Sequence, residues 1–249
     1  MRKVLVVMPM HSRMIDFASA QSMYYASARD DLTVHRQFSV YSALTANFNS
    51  LLCSAINNEY DLFAMLHGDM IVDNFWLDVL VEEMDKHDAG VVSVVTSIKT
   101  FERETSTALA CVGDDRFGIR GRLSHEEVTR LPETFCAEDV AREFPDAAKG
   151  EPILLVNTGC FVGDIKRALS RRPNGEMFCF HIGNRIVEQD GRVQQHFEPE
   201  DWRMSRELAA DGVRVYATSK VNSYHVGPNL FGLHRDKPAG VILPQEVET

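Results

Sequence analysis

The chain has 249 residues, 45% of them hydrophobic and 25% charged, with a formal net charge of −10. That composition is ordinary for a globular protein and excludes collagen, coiled coil and disorder; the acidic balance argues against a chain built to coat nucleic acid or an anionic membrane. The length buries enough surface that the fold needs no disulfide or metal staple. The cysteines, at positions 53, 111, 136, 160 and 179, are odd in number and form no CxxC pair, which suits reduced thiols in a cytosol. The opening Met1-Arg2-Lys3 is basic, but the apolar run over 4–10 is too short for a signal segment or a span, and no other stretch reaches the ~18 apolar residues a span needs. The expectation is a cytoplasmic protein without stable membrane insertion.

Residues 4–8, Val-Leu-Val-Val-Met, read as a buried strand of a parallel sheet, ended by Pro9. Residues 14–28 suit a helix. Leu32, Val34, Arg36 and Phe38 stand at strand spacing. Leu44, Phe48, Leu51, Leu52, Ala55 and Ile56 form the stripe of an amphipathic helix. A third strand covers 62–66. Asp73 is placed to cap a helix carrying Trp76, Val79, Leu80 and Met84 that ends near Gly90, and Val91 to Val95 form a fourth strand. The alternation predicts a doubly wound sheet with right-handed crossovers. Ligands bind such sheets at the carboxyl ends of the strands, so 9–12, 39–42, 67–70 and 96–100 should share one rim.

The second half reads differently. Residues 101–150 predict long loops with one or two short helices, one of them capped within 122–135. Two short apolar runs, 153–156 and 160–162, flank Asn157-Thr158-Gly159. Asp164 is placed to cap a helix through Leu169. Turn signals at Gly183-Asn184 and Asp190-Gly191 predict a hairpin or meander over 177–197. Pro199-Glu200-Asp201-Trp202 opens a helix that ends at Gly212, and 213–217 form a strand. The tail after Pro228 has no clear period, and no internal repeat or linker divides the chain.

No GxGxxG follows the first strand, and neither GxxxxGK[ST] nor GxSxG occurs, so a phosphorylated ligand would need another counter-charge, such as a metal. Three features remain. Asp69, in His67-Gly68-Asp69, is either a turn carboxylate or a rim ligand beside a glycine that admits close approach. Glu200 and Asp201 either complement a helix N-terminus or do chemistry. His225, in Tyr224-His225-Val226-Gly227, is either a satisfied structural histidine or a ligand. The basic residues Arg116, Arg120, Arg122, Lys166, Arg167, Arg171 and Arg172 read as a solvated face or as anion contacts. Trp202, Phe178, Phe180 and Tyr224 read as core or as stacking platforms for a sugar or base.

Taken together and in order, these segments resemble the GT-A glycosyltransferases, especially the family-2-like members. His67-Gly68-Asp69 stands where that family carries its DxD motif. Pro199-Glu200-Asp201-Trp202, continuing through Arg206 and Leu208, looks like its "ED" acceptor motif. His225 looks like its late metal-ligand histidine, and Val156-Asn157-Thr158-Gly159-Cys160-Phe161 like the segment before the acceptor side. Pro9 at a strand end and Asn47-Phe48-Asn49 match in order. The resemblance spans about 3–100 and 152–227.

That resemblance implies one α/β domain over 1–249 of the GT-A type. A Rossmann-like, mostly parallel sheet is flanked by helices, with a small antiparallel, loop-rich acceptor half. Residues of about 1–100 would bind the nucleotide sugar, about 101–230 the acceptor, and 231–249 form a tail. It implies metal-dependent transfer, with inversion, of a sugar from a UDP- or GDP-sugar to an acceptor hydroxyl on a glycan, a lipid-linked sugar, a protein or a modified nucleic-acid base. The nucleotide-sugar site would hold Pro9, Met10, His11, Asn49, His67, Gly68 and Asp69. Mn2+ or Mg2+ would sit on Asp69 and His225. Asp201 would be the general base, ionised by the helix N-terminus, with Glu200 beside it. His67 departs from the family's first acid, which keeps open a catalytically inactive binding protein on the same fold. A sugar-phosphate nucleotidyltransferase is the other alternative, disfavoured because Pro9-Met10-His11-Ser12-Arg13 lacks glycine.

Overall fold

A computed structural model of the chain describes residues 1–10, 14–99, 104–111, 121–147, 150–189, 191–227, 230–233 and 241–242. The first half alternates as its periodicity predicts: β1 (Arg2–Met10), α1 (Phe17–Tyr24), β2 (Leu32–Val40), α2 (Leu44–Asn57), β3 (Leu62–Leu66), a short β4 (Met70–Val72), α3 (Trp76–His87) and β5 (Val91–Val94). Next come β6 (Glu104–Cys111), β7 (Arg122–Ser124), α4 (His125–Arg130), β8 (Thr134–Phe135), α5 (Ala137–Glu143), β9 (Pro152–Leu155) and β10 (Cys160–Asp164). The chain then forms the hairpin β11 (Gly183–Gln189) and β12 (Arg192–Glu198), α6 (Glu200–Ala210), β13 (Val215–Thr218), β14 (Ser223–Val226), β15 (Leu230–Leu233) and β16 (Val241–Ile242).

Seven strands build the central sheet in the order β2-β1-β3-β10-β5-β13-β8, and β10 and β8 alone oppose the common direction. The fold is therefore mixed α/β, a Rossmann-like and mostly parallel sheet with helices on both faces. Alternation along β1 explains the two layers. Leu5 and Val7 pack with Phe48, Leu51 and Leu52 of α2 and with Met204 and Leu208 of α6. Val4, Val6 and Met8 pack on the other face with Met23 of α1 and with Trp76, Leu80 and Met84 of α3. Among the described residues no helix is long and apolar enough to cross a membrane.

Several expectations are corrected. β3 and β5 are not neighbours, because β10 enters antiparallel between them, so strands of both chain halves share the sheet. The stretch read as long loops holds β6, buried from Thr105 to Ala110, whose partners β7 and β9 lie on either side. Its Thr- and Ala-rich sequence gave no apolar period to read. Pro9 does not end β1. Pairing with β2 continues to Met10, whereas pairing with β3 stops at Val7, so the missing Pro9 N–H breaks no bond on that side. Asp73 does not cap α3. Its carboxylate accepts from Asn222 N at 2.8 Å, and Phe75, at φ 63°, precedes the helix. Asp164 accepts from Arg167 N at 2.9 Å in a turn, with no helix following, and Gly183-Asn184 lies inside a strand of the hairpin.

One buried ion pair ties α3 to the segment after β13. Glu83, 1% exposed, takes Lys220 Nζ at 2.6 Å and faces His87 Nε2 at 3.3 Å. Burial pushes its carboxyl up, but Lys220 and the hydroxyl of Thr134 outweigh that and hold it below the ordinary range. Removing Lys220 takes the nearest cation from a buried carboxylate and leaves it Lys86 at 3.9 Å, so Lys220→Ala is expected to cost up to about 3 kcal/mol at neutral pH. Because the folded-state value lies below the usual 4.5, the pair's contribution is complete above that pH and is lost as pH falls. Urea denaturation should therefore show the gap between the two proteins closing under acid.

Candidate functional site

The carboxyl ends of β1, β3 and β5 reach one rim, and a cleft of about 210 Å3 opens there, lined by Pro9, Met10, Met14, Leu44, His67, Gly68 and Asp69. Gly68 packs closely there: a Cβ would lie 3.1 Å from Met10 Cγ and press that side chain aside. Five of the residues expected to hold a nucleotide sugar thus line one cleft. His11 lies outside the described residues. Asn49 does not join them. Its amide donates to Phe180 O at 2.8 Å and accepts from Phe180 N at 2.8 Å, so both ends are engaged in holding α2 to the segment before β11.

Asp69 and His225, 156 residues apart, meet because β14 pairs antiparallel with β4. His225 stands opposite Met70, and Val226 N donates to Asp69 O at 2.7 Å. Asp69 Oδ2 lies 3.3 Å from His225 Nε2 and 2.6 Å from Lys99 Nζ, and His225 Nδ1 lies 3.1 Å from Ser97 O. Ser97 in turn holds His125 Nε2 through its hydroxyl at 3.0 Å. Burial pushes the Asp69 carboxyl up, but hydrogen bonds from His225 and Lys99 and the nearby His67 hold it well below the usual carboxylate range.

Asp69 Oδ2 is taken by the Lys99 ammonium rather than open to a divalent ion. Among the described residues no three His, Cys, Asp or Glu side chains gather as metal ligands. His225 Nε2 faces the same carboxylate oxygen that carries the ammonium. Sequence reading missed Lys99. The available signal was a lone lysine within 96–100, at the carboxyl end of a buried strand.

The carboxylate pair sits at the head of α6. Pro199 is the N-cap and offers no side-chain bond, so Glu200 and Asp201 are the first helical residues rather than caps. Glu200 Oε1 accepts from Thr158 Oγ1 at 3.4 Å, and burial raises its carboxyl. Asp201 is pushed up to about 7, by burial first and by the Glu200 charge second, against the Trp202 N–H and the Arg122 charge. Burial and a like charge thus outweigh the helix N-terminus, and the expectation of a firmly ionised Asp201 is corrected. Arg122 lies over the Trp202 ring at 4.8 Å, and Trp202 Nε1 donates to Ser106 O.

The loop between β9 and β10 touches both groups. Gly159 O accepts from His67 N at 2.8 Å, while the neighbouring Thr158 holds Glu200. Asn157 fixes that loop: its Nδ2 donates to Val94 O and to Ser106 Oγ, each at 2.8 Å, and its Oδ1 accepts from Gly159 N at 2.8 Å. Of the remaining candidates, Arg167 is engaged by Asp164 and Asp88, and Arg172 by Glu207 and Asp211. Phe178, Phe180 and Trp202 are core, at 4%, 1% and 9% exposure. Arg116 and Arg120 lie outside the described residues.

No family model matches the sequence, and no curated protein does. Among solved structures, the chain is similar to A197 from STIV at 12% identity with a TM-score of 0.53, covering 100% of this chain and 97% of that one. At that identity the likeness is one of fold, and it extends over the whole chain.

Proposed function

We propose that the protein is a glycosyltransferase that moves a sugar from a nucleoside diphosphate sugar to an acceptor hydroxyl. The observation that carries this reading is the Asn157-Thr158-Gly159 loop, which ties the end of β3 to the head of α6. One side of it offers a cleft edged by nitrogen donors around Asp69, suited to a diphosphate. The other side offers a half-buried carboxylate whose proton affinity lies near neutral pH, suited to a general base.

In the proposed step the acceptor oxygen attacks the anomeric carbon and its proton passes to Asp201. The anomeric C–O bond to the diphosphate breaks, and the nucleoside diphosphate leaves with the bonding electrons. A base on the face opposite the leaving group gives inversion. The likeness of fold supports the reading only as a scaffold, since one scaffold hosts many chemistries.

UDP- and GDP-sugars, screened by thermal shift and by release of nucleoside diphosphate, test the proposal. One of them is expected to raise Tm by mass action and to be turned over slowly with water as acceptor. Binding without any release under all acceptors tried would instead favour an inactive binding protein.

A further inference from the structure

We propose that Lys99 is the resident cation of this site: its ammonium, held on Asp69 Oδ2, occupies the place a divalent ion would take and binds the diphosphate directly. The proposal deepens the glycosyltransfer reading and rests on it for the identity of the ligand. Its basis is the contact of 2.6 Å between Lys99 Nζ and Asp69 Oδ2. An ion bound to that oxygen would face a like charge across a single atom. Metal and ammonium therefore compete for Oδ2, and the lysine is tethered there by the chain.

The tether is specific. Lys99 follows the end of β5, where Ser97 bridges to Thr105 and Ile98 N donates to Glu104 O at 3.2 Å, so the backbone that carries Lys99 is fixed to β6. Asp69 is fixed from the other side by Val226 N. The lysine and aspartate side chains are 36% and 44% exposed, so the pair lies at the mouth of the cleft rather than within the core. An ammonium has three N–H donors, and among the described residues Asp69 takes one of them, which leaves donors for a ligand. His225 Nε2 approaches the same oxygen from β14. Asp69 thus serves as an anchor that orients two nitrogen groups beside Pro9, Met10 and Gly68, and the anion that fits is one with several charged oxygens, a diphosphate.

Pyrophosphate, titrated calorimetrically into the full chain in EDTA, is the first arm of the test. It is expected to bind without metal, at least about tenfold more weakly in Lys99→Ala, and nearly as in wild type in Lys99→Arg, which keeps the charge. The second arm is Mn2+ alone, followed by electron paramagnetic resonance, which is expected to detect no ion whose binding depends on Asp69. Because Lys99 is half-exposed, Tm of both variants should equal that of wild type. The proposal is overturned by pyrophosphate binding that requires metal, by equal binding in Lys99→Ala, or by Mn2+ bound to wild type and lost in Asp69→Asn. The two readings fail separately. Lys99-dependent pyrophosphate binding with no release from any sugar nucleotide removes glycosyl transfer and keeps Lys99, whereas metal-dependent release removes Lys99 and keeps glycosyl transfer.

Discussion

Asp201→Asn is expected to lower release of nucleoside diphosphate by ~10²-fold or more while leaving nucleotide binding nearly unchanged. The substitution keeps the shape of the side chain and its ability to accept from Trp202 N, and removes its ability to take a proton. The wild-type rate should climb with pH through about 7 as Asp201 ionises, and the variant should lose that limb. A second readout needs no substrate. The folded-state value lies above the ordinary 3.8, so between that pH and about 7 the folded chain holds a proton that the unfolded chain has released. Ionisation therefore opposes folding, and the group's contribution falls as pH rises across the window. Asp201→Asn should melt a few degrees above wild type at about pH 8 and together with it at about pH 4. A purely structural Asp201 would leave turnover intact, and wild-type turnover in the variant would move the base to Glu200.

What was legible in the sequence follows from which forces act locally. The apolar runs of β1, β3 and β5 and the stripe of α2 are buried on their own account, so period and length located them. β6 was not legible: Glu-Thr-Ser-Thr-Ala-Leu-Ala-Cys is buried because β7 and β9 flank it, not because its own side chains demand it. The insertion of β10 between β3 and β5 is likewise a long-range choice, made with partners about a hundred and about seventy residues away. Asp69 and His225 were read as neighbours from a resemblance in motif order, and the β4–β14 ladder brings them together. The raised proton affinity of Asp201 ran against local reasoning, because a helix N-terminus acts over one turn while the burial that opposes it comes from the whole site. Lys99 stood on the expected rim but carries no motif, so its partner was visible only in three dimensions.

The second large effect is expected at Asn157, which touches neither the cleft nor the carboxylate pair. It is 5% exposed, and its amide joins β5, β6 and the loop that carries Thr158 and Gly159, beside the Ser93 hydroxyl that donates to Asn157 O at 2.8 Å. Asn157→Leu keeps the volume but strips the bonds from Val94 O, in the interior, and from Gly159 N, which is half-buried. Ser106 keeps Thr96 as a partner and Val94 O keeps the Ser93 hydroxyl at 3.4 Å, so Gly159 N alone loses its side-chain partner outright. At about 1–3 kcal/mol for an unsatisfied buried group, the variant should lose about 2 kcal/mol, read from urea unfolding. Because Gly159 receives His67 N and Thr158 holds Glu200, loosening the loop should also weaken nucleotide binding and slow release together, unlike Asp201→Asn. Asn157→Asp separates the contributions. Its carboxylate still accepts from Gly159 N, but at neutral pH it sets an anion against the Val94 carbonyl, which only accepts. Protonation restores the donor, and burial raises the folded-state value of such a carboxyl, so stability should recover as pH falls and be lost as it rises. A leucine variant within about 0.5 kcal/mol of wild type would show that the Asn157 amide does not hold the loop, and that the two halves of the site are not coupled through it.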